Sequence, residues 1–242
     1  MENIKIENLT KKYKDVIAVD NLSLTINKGE LFSLLGVNGA GKTTTIKMLS
    51  CLTKPTSGDA FLNGKSICSD FNQVKKLIAV SPQETAIARS LSVKENLELI
   101  CGVHGFSKEK QSKKISELTS LLDLSSILNK KASKLSGGWQ RRLSIAMALI
   151  SEPQILFLDE PTLGLDVIAR SELWDIIRSL KNNVTIILTT HYMEEAEALS
   201  DRIAIMKNGK LLISDTCEKI KEYAGTTNFE QAFIRIVKEE KI

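Results

Sequence analysis

The sequence predicts an α/β fold in one domain, a parallel sheet covered by helices on both faces with a helical insertion. Three observations predict it. Two short, unbroken apolar runs, QILFLD at 154–159 and VTIILTT at 184–190, read as strands buried on both faces. Between them Leu173, Trp174, Ile177 and Leu180 recur at helical spacing. From about Glu84 to Ile150 the text is mostly helical, a stretch long enough to form an inserted helical unit.

In chain order, IKIENL (4–9) and VIAVDNLSLTI (16–26) alternate apolar and polar like strands. NKG at 27–29 is turn chemistry, and ELFSLLG (30–36) is a third strand. From Lys42 to Leu52 the period becomes helical through Ile46, Met48 and Leu49, and Pro55 follows the end. TSGDAFLNGKSI (56–67) reads as strand and turn. The helical stretch breaks at Gly102, Gly105 and Asp123–Ser126. After the two buried strands, RIAIMKNGKLLI (202–213) has strand character. In the last segment, Phe229, Ala232, Phe233 and Ile236 have helical spacing and are expected to pack locally, with no chemistry assigned.

The 242 residues are 43% hydrophobic and 26% charged, which is soluble globular composition with enough apolar mass for a sizeable core. Lys+Arg 33 against Asp+Glu 29 gives +4, too mild for a nucleic-acid footprint. The basic clusters at Lys108–Lys114 and Lys130–Lys134 have acids nearby and read as solvated surface. Cys51, Cys68, Cys101 and Cys217 form no C-x-x-C pair or zinc spacing, so free thiols in a reducing compartment are expected. The opening MENIKIENLTKKY lacks the apolar core of a secretion signal. The longest apolar runs, ILFL and AMALI, fall far short of the roughly 18 residues that cross a bilayer.

GVNGAGKT, residues 36–43, fits G-x-x-x-x-G-K-[ST] between a strand and a helix, the context that phosphate loop requires. Its glycines allow successive N–H groups to point inward at phosphate oxygens, reinforced by the helix start. Lys42 adds a charge for the outer phosphates, and the Thr43 hydroxyl can ligate Mg²⁺. ILFLDEP (155–161) ends a strand in two acids at the carboxyl end, where parallel sheets bind ligands. Asp159 fits the acid that holds Mg²⁺ through water or through Thr43. Glu160, one residue on, points elsewhere and can orient the attacking water and take its proton. His191 ends TIILTTH beside the same pocket and can hydrogen-bond the γ-phosphate. His104 has no such context and reads as surface or packing. The guanine motif N-K-x-D is absent, NKKA at 129–132 lacking its aspartate, and Tyr13 offers a flat face for a purine.

Taken together these motifs resemble the ATP-binding cassette of ABC transporters over nearly the whole chain, with phrasing closest to bacterial ABC-2-type, multidrug-export-like systems. GVNGAGKTT is similar to that family's Walker A loop, which puts Gly36, Asn38, Gly39, Ala40, Gly41, Lys42, Thr43 and Thr44 on ATP, with Val19 and Tyr13 beside them. ILFLDEP resembles the Walker B strand. Gln83 in SPQE resembles the Q-loop glutamine, a Mg²⁺ ligand. LSGGWQ (135–140) is similar to the signature, whose Ser136, Gly137, Gly138 and Gln140 close over ATP held by a second cassette. LGLD (163–166) resembles the D-loop, with Asp166 its acid, and His191 takes the switch position. Trp139 and Val167 depart from the family pattern, where polar or small residues and proline are commoner; neither departure removes a catalytic group.

The resemblance implies a P-loop NTPase core with a mixed central sheet, an N-terminal antiparallel β-subdomain and an inserted α-helical subdomain at roughly 84–150. A cassette domain over 1–217 and a short helical tail over 218–242 follow. It implies a Mg²⁺-dependent ATPase, peripheral on the cytoplasmic face of the membrane. Its partners would be an integral membrane permease and a second cassette, with no nucleic acid. The signature helix presents free amides at its N-terminus, suited to an anion. Two other readings compete. A soluble cassette ATPase of translation or repair usually carries tandem cassettes or a long coiled-coil insertion. A non-hydrolysing binding module would be expected to lose Glu160 or His191.

Overall fold

The computed structural model describes residues 2–239, so the end of the expected tail, 240–242, lies outside the described residues. The chain opens with two long antiparallel strands, β1 (Glu2–Tyr13) and β2 (Val16–Asn27). The first core strand, β3 (Leu31–Leu35), runs into the phosphate loop and helix α1 (Lys42–Leu49). The strands β4 (Ser57–Leu62) and β5 (Lys65–Ser66) complete a four-stranded antiparallel sheet in the order β2-β1-β4-β5. Then follow α2 (Phe71–Leu77), β6 (Ile78–Ser81), α3 (Val93–Val103), α4 (Lys108–Leu121) and α5 (Gly137–Leu149). The remainder is β7 (Ile155–Asp159), α6 (Val167–Leu180), β8 (Thr185–Thr190), α7 (Met193–Leu199), β9 (Arg202–Lys207), β10 (Lys210–Asp215), α8 (Cys217–Tyr223) and α9 (Phe229–Glu239).

The second sheet has the order β10-β9-β3-β8-β7-β6. It is parallel from β9 to β6, and β10 joins antiparallel, which makes it mixed. Every residue of β3, β7 and β8 is buried. Alternation along these strands divides the core. Phe32, Leu34, Ile155, Phe157 and Ile187 face α1 and the antiparallel sheet. Leu31, Leu156, Leu158, Ile186 and Leu188 face the helical side, against Leu97, Leu143, Leu173 and Ile177. The parallel strands therefore end together at one edge, where the phosphate loop and both strand-end acids emerge.

Helix starts carry their own chemistry. Ser92 and Glu95 form a reciprocal capping box on α3, and Ser107 and Thr216 cap α4 and α8. Segment 84–92, expected within the helical stretch, is loop and turn up to that cap. The four-residue β6 is a core strand that the sequence pattern did not reveal. The strand character of residues 202–213 resolves into a hairpin, with Asn208 (φ 49°) and Gly209 (φ 80°) both in left-handed backbone at its turn. The tail packs on itself, with α8 against α9 and Arg235 donating to Ala224 O at 2.8 Å and Gly225 O at 2.9 Å, and it also packs on the sheet. Ile220, Phe229, Ala232, Phe233 and Ile236 form a third core with Leu35, Ala196, Ile203 and Ile205 on the outer end of the sheet. The four cysteines are free.

A candidate nucleotide site at the strand ends

Residues 36–43 wrap one end of a cavity of about 830 Å³ at the carboxyl ends of β3, β7 and β8. Two glycines are dictated by contact. A Cβ on Gly36 would lie 2.4 Å from the Met206 carbonyl oxygen of β9. Gly41 has φ 103°, and a Cβ there would lie 2.5 Å from the Ala18 carbonyl oxygen. The loop is clamped from outside: the Gly209 N–H donates to Ala40 O at 3.1 Å, and the Asp20 N–H donates to Gly209 O at 2.9 Å. Asn38, Gly39, Ala40, Thr43 and Thr44 also line the cavity.

Lys42 is 5% exposed. Its ammonium donates to Gly36 O at 2.7 Å and Val37 O at 3.3 Å, and lies 3.8 Å from Glu160 Oε1. Burial holds it below the ordinary lysine range, against the pull of Glu160 and Asp159. Asp159 Oδ1 accepts from the Thr43 hydroxyl at 3.2 Å and from the Thr189 hydroxyl at 2.5 Å. Hydroxyl and carboxylate oxygens at one point, with the Gln83 side chain on the same cavity, are hard donors that suit Mg²⁺. Among the described residues no group of three His, Cys, Asp or Glu forms a metal cage.

Glu160 is 9% exposed and holds left-handed backbone at φ 47°. Its N–H is fixed by the Thr189 carbonyl at 3.1 Å and the Thr189 hydroxyl at 3.0 Å. The carboxylate therefore swings away from Asp159, and its Oε1 meets His191 Nδ1 at 3.3 Å. His191 and Glu160 both line the cavity.

Two residues expected at the nucleotide do not line this cavity. Val19 is fully buried beneath the loop, because alternation on β2 turns it into the core; Val16, Ile17 and Ala18 line the cavity instead. Tyr13 is 45% exposed at the end of β1 and outside the cavity lining, with Lys11 Nζ 4.9 Å from its ring centroid. The signature residues also lie outside this cavity. Ser136 is the N-cap of α5 and makes no side-chain cap bond, which leaves its hydroxyl and the first amides open. Ser136 and Gly137 are exposed, while Gly138 is buried where the helix start packs on Leu165 and Ala169. The Gln140 amide turns back to Leu135 O at 2.9 Å, so it serves its own loop rather than facing outward. Asp166 caps α6, accepting from the Ile168 and Ala169 N–H groups at 3.0 and 2.9 Å.

The sequence reading missed Arg141. Its buried guanidinium donates to Pro82 O at 2.6 Å and Gln83 O at 2.7 Å, tying α5 to the loop that carries Gln83. It also assigned no role to Thr189, which holds Asp159, or to Asn208 and Leu163, which line the cavity.

The ABC transporter family model matches residues 19–163. The chain is 38% identical over 240 residues to the probable multidrug ABC transporter ATP-binding protein YbhF of Escherichia coli, covering 97% of this chain and 41% of that protein. It is 42% identical over 226 residues to the human phospholipid-transporting ATPase ABCA3, covering 92% of this chain and 13% of that protein. It thus spans less than half the length of either relative. Among solved structures, a dimeric post-hydrolysis ATP-binding cassette bound to ADP and Pi superposes with a TM-score of 0.78 at 29% identity, covering 88% of this chain and 98% of that one. With the loop, both strand-end acids and the exposed signature in place, the chain belongs to the ABC transporter family.

Proposed function

We propose that this chain is the ATP-hydrolysing cassette of an export system, peripheral on the cytoplasmic face of the membrane, where it drives a separate membrane-spanning partner. Among the described residues no helix is long and apolar enough to cross a membrane. Relatives named for multidrug and phospholipid transport support a role in transport, and export is the direction proposed.

The observation that carries the reading is the contact of Glu160 with both His191, at 3.3 Å, and Lys42, at 3.8 Å, at the mouth of the phosphate loop. Lys42 and the loop amides hold the triphosphate, with Asn38, Gly39, Ala40, Gly41 and Thr44 around it. Thr43, Gln83 and, through water, Asp159 hold Mg²⁺, which when bound neutralises charge on the phosphate oxygens. Glu160 takes a proton from water as its oxygen bonds to the γ-phosphorus and the bond to the β–γ bridging oxygen breaks, giving ADP and Pi. His191 hydrogen-bonds the transferred group, and Tyr13 stands at the purine end.

The exposed signature amides need an anion that their own cavity does not bring to them. We infer a second cassette facing head to tail, with Ser136, Gly137 and Gly138 of each closing on the other's γ-phosphate. Asp166 stands at the junction, flanked by Val167 and Ile168, which are 77% and 72% exposed. Closure then requires ATP in both sites, and hydrolysis removes the anion that both chains share. The test is the mass of the E160Q variant with ATP and Mg²⁺. The expected species is twice the 26.8 kDa monomer. Persistence of the monomer at high protein concentration refutes the paired arrangement.

A further inference from the structure

Behind the cavity lies a carboxyl group that the hydrolytic reading leaves unused. Glu195, in the first turn of α7, has no exposed surface. Its Oε1 accepts from the Thr162 hydroxyl at 2.8 Å and from the Trp174 indole N–H at 3.2 Å. Thr162 is itself fully buried, two residues after Glu160. Trp174 lies on α6, the helix that Asp166 caps. Glu195 follows His191 by four residues. One oxygen atom therefore joins three segments: the turn carrying Glu160, the helix behind the D-loop, and the loop carrying His191.

A buried carboxyl is a costly way to fill a core, where an apolar side chain of like volume does as well or better. Burial lifts the Glu195 carboxyl above its ordinary range, with Thr190, Thr162 and Trp174 opposing. The neighbourhood is also under-satisfied. Among the described residues, the buried side-chain polar atoms without a hydrogen bond are Asn3 Oδ1, Arg170 Nε, His191 Nδ1 and Glu195 Oε2. All but the first belong to this junction or to the residues facing it, and such atoms in a native core call for an explanation.

We propose that Glu195 is a positioning residue for hydrolysis: from α7 it holds Thr162 and Trp174, and so fixes the spacing of Glu160 and His191. This deepens the ATPase reading and rests on it. Glu160 and His191 leave different strands, and their 3.3 Å contact is set by the backbones behind them. On the strand side the Glu160 turn is anchored to Thr189. On the helix side its anchor is the Thr162–Glu195 bond. With the second anchor gone, the carboxylate aims less well at the attacking water. Nucleotide affinity comes from the phosphate loop, which has no hydrogen bond to Glu195, so the loss falls on kcat and spares KM.

The experiment measures phosphate release against ATP concentration for T162V, E195L and E195Q. It also follows the Trp174 indole N–H resonance in ¹⁵N-labelled protein, assigned by its loss in W174F. T162V and E195L are expected to lower kcat about tenfold with KM within about twofold of wild type. E195Q keeps an oxygen acceptor for Thr162 and Trp174 and is expected to restore most of the rate. Addition of Mg–ATP is expected to move the indole resonance in wild type and not in T162V. Wild-type kcat in T162V, a raised KM at unchanged kcat, or an E195Q as slow as E195L each overturn the proposal. Should E195L fail to fold, T162V, which removes one hydroxyl, decides alone. Should wild type release no phosphate, the hydrolytic reading falls, and the indole resonance still decides: a shift absent from T162V supports the link, and no shift in wild type ends it.

Discussion

Arg141→Met tests the grip of α5 on the loop that carries Gln83. The guanidinium is 5% exposed and donates to two carbonyls, at 2.6 and 2.7 Å. A hydrogen bond from a charged group contributes about 1.5–3 kcal/mol, so the gross loss is about 3–6 kcal/mol. Three effects reduce it. Burial holds the Arg141 pKa below its ordinary range, despite attraction from Asp159, Glu195 and Glu160, so removing the charge recovers part of the desolvation cost. The freed carbonyls belong to half-buried Pro82 and exposed Gln83, where water can replace the lost donors. Methionine also refills most of the apolar volume. The net destabilisation is then about 2 kcal/mol, which lowers Tm by about 4–8 °C in a domain of this size. Because Gln83 lines the nucleotide cavity, the concentration of Mg²⁺ needed for half-maximal phosphate release should rise as well. Calorimetric melts paired with Mg²⁺ titrations of the ATPase rate provide the check. An unchanged Tm together with an unchanged Mg²⁺ requirement would refute the claim that Arg141 holds this loop.

Phe233→Ala should cost about 3 kcal/mol, because the ring is buried against the sheet end. Hydrogen exchange should show α8 and α9 losing protection while β7 and β8 keep theirs; uniform loss would mean the tail is not a separable unit. Glu195→Gln should change how stability varies with pH. The folded carboxyl has a raised pKa, so its contribution is full below the unfolded value and fades as pH rises toward the folded one. The Tm of the variant should therefore gain on wild type as pH rises above the ordinary carboxylate range, and a constant difference would contradict burial as the cause of the shift.

The site was legible where a motif states its own geometry. Residues 36–43 require a strand before them, a turn and a helix start, and the structure has all three. Asp159 and Glu160 were readable as a strand end, and positive φ at Glu160 explains why adjacent acids take different partners. Contacts between distant segments were not legible. Arg141 directly follows the quoted signature stretch, yet nothing in the letters says that its target is a pair of carbonyls near residue 83. Val19 alternates as a strand residue should, but which face of β2 meets the loop depends on a register set by β1. In the fold, β6 escaped notice because four residues after Lys75 and Lys76 carry too little pattern to separate from a helix end. The apolar stripe of α9 was visible, while its seat on Leu35, Ile203 and Ile205 was not.

The left-handed backbone at Glu160 has a practical consequence for anyone who edits this position. The carboxylate is aimed by main-chain torsion, before any nucleotide arrives, so two properties are inherited together by whatever residue is installed. Glutamine keeps the shape and subtracts only the charge; valine or isoleucine would force a β-branched residue into a conformation it resists, and a dead enzyme would then report distorted scaffolding as readily as missing chemistry. Glycine makes the complementary control, since it accepts the torsion freely and removes the side chain altogether.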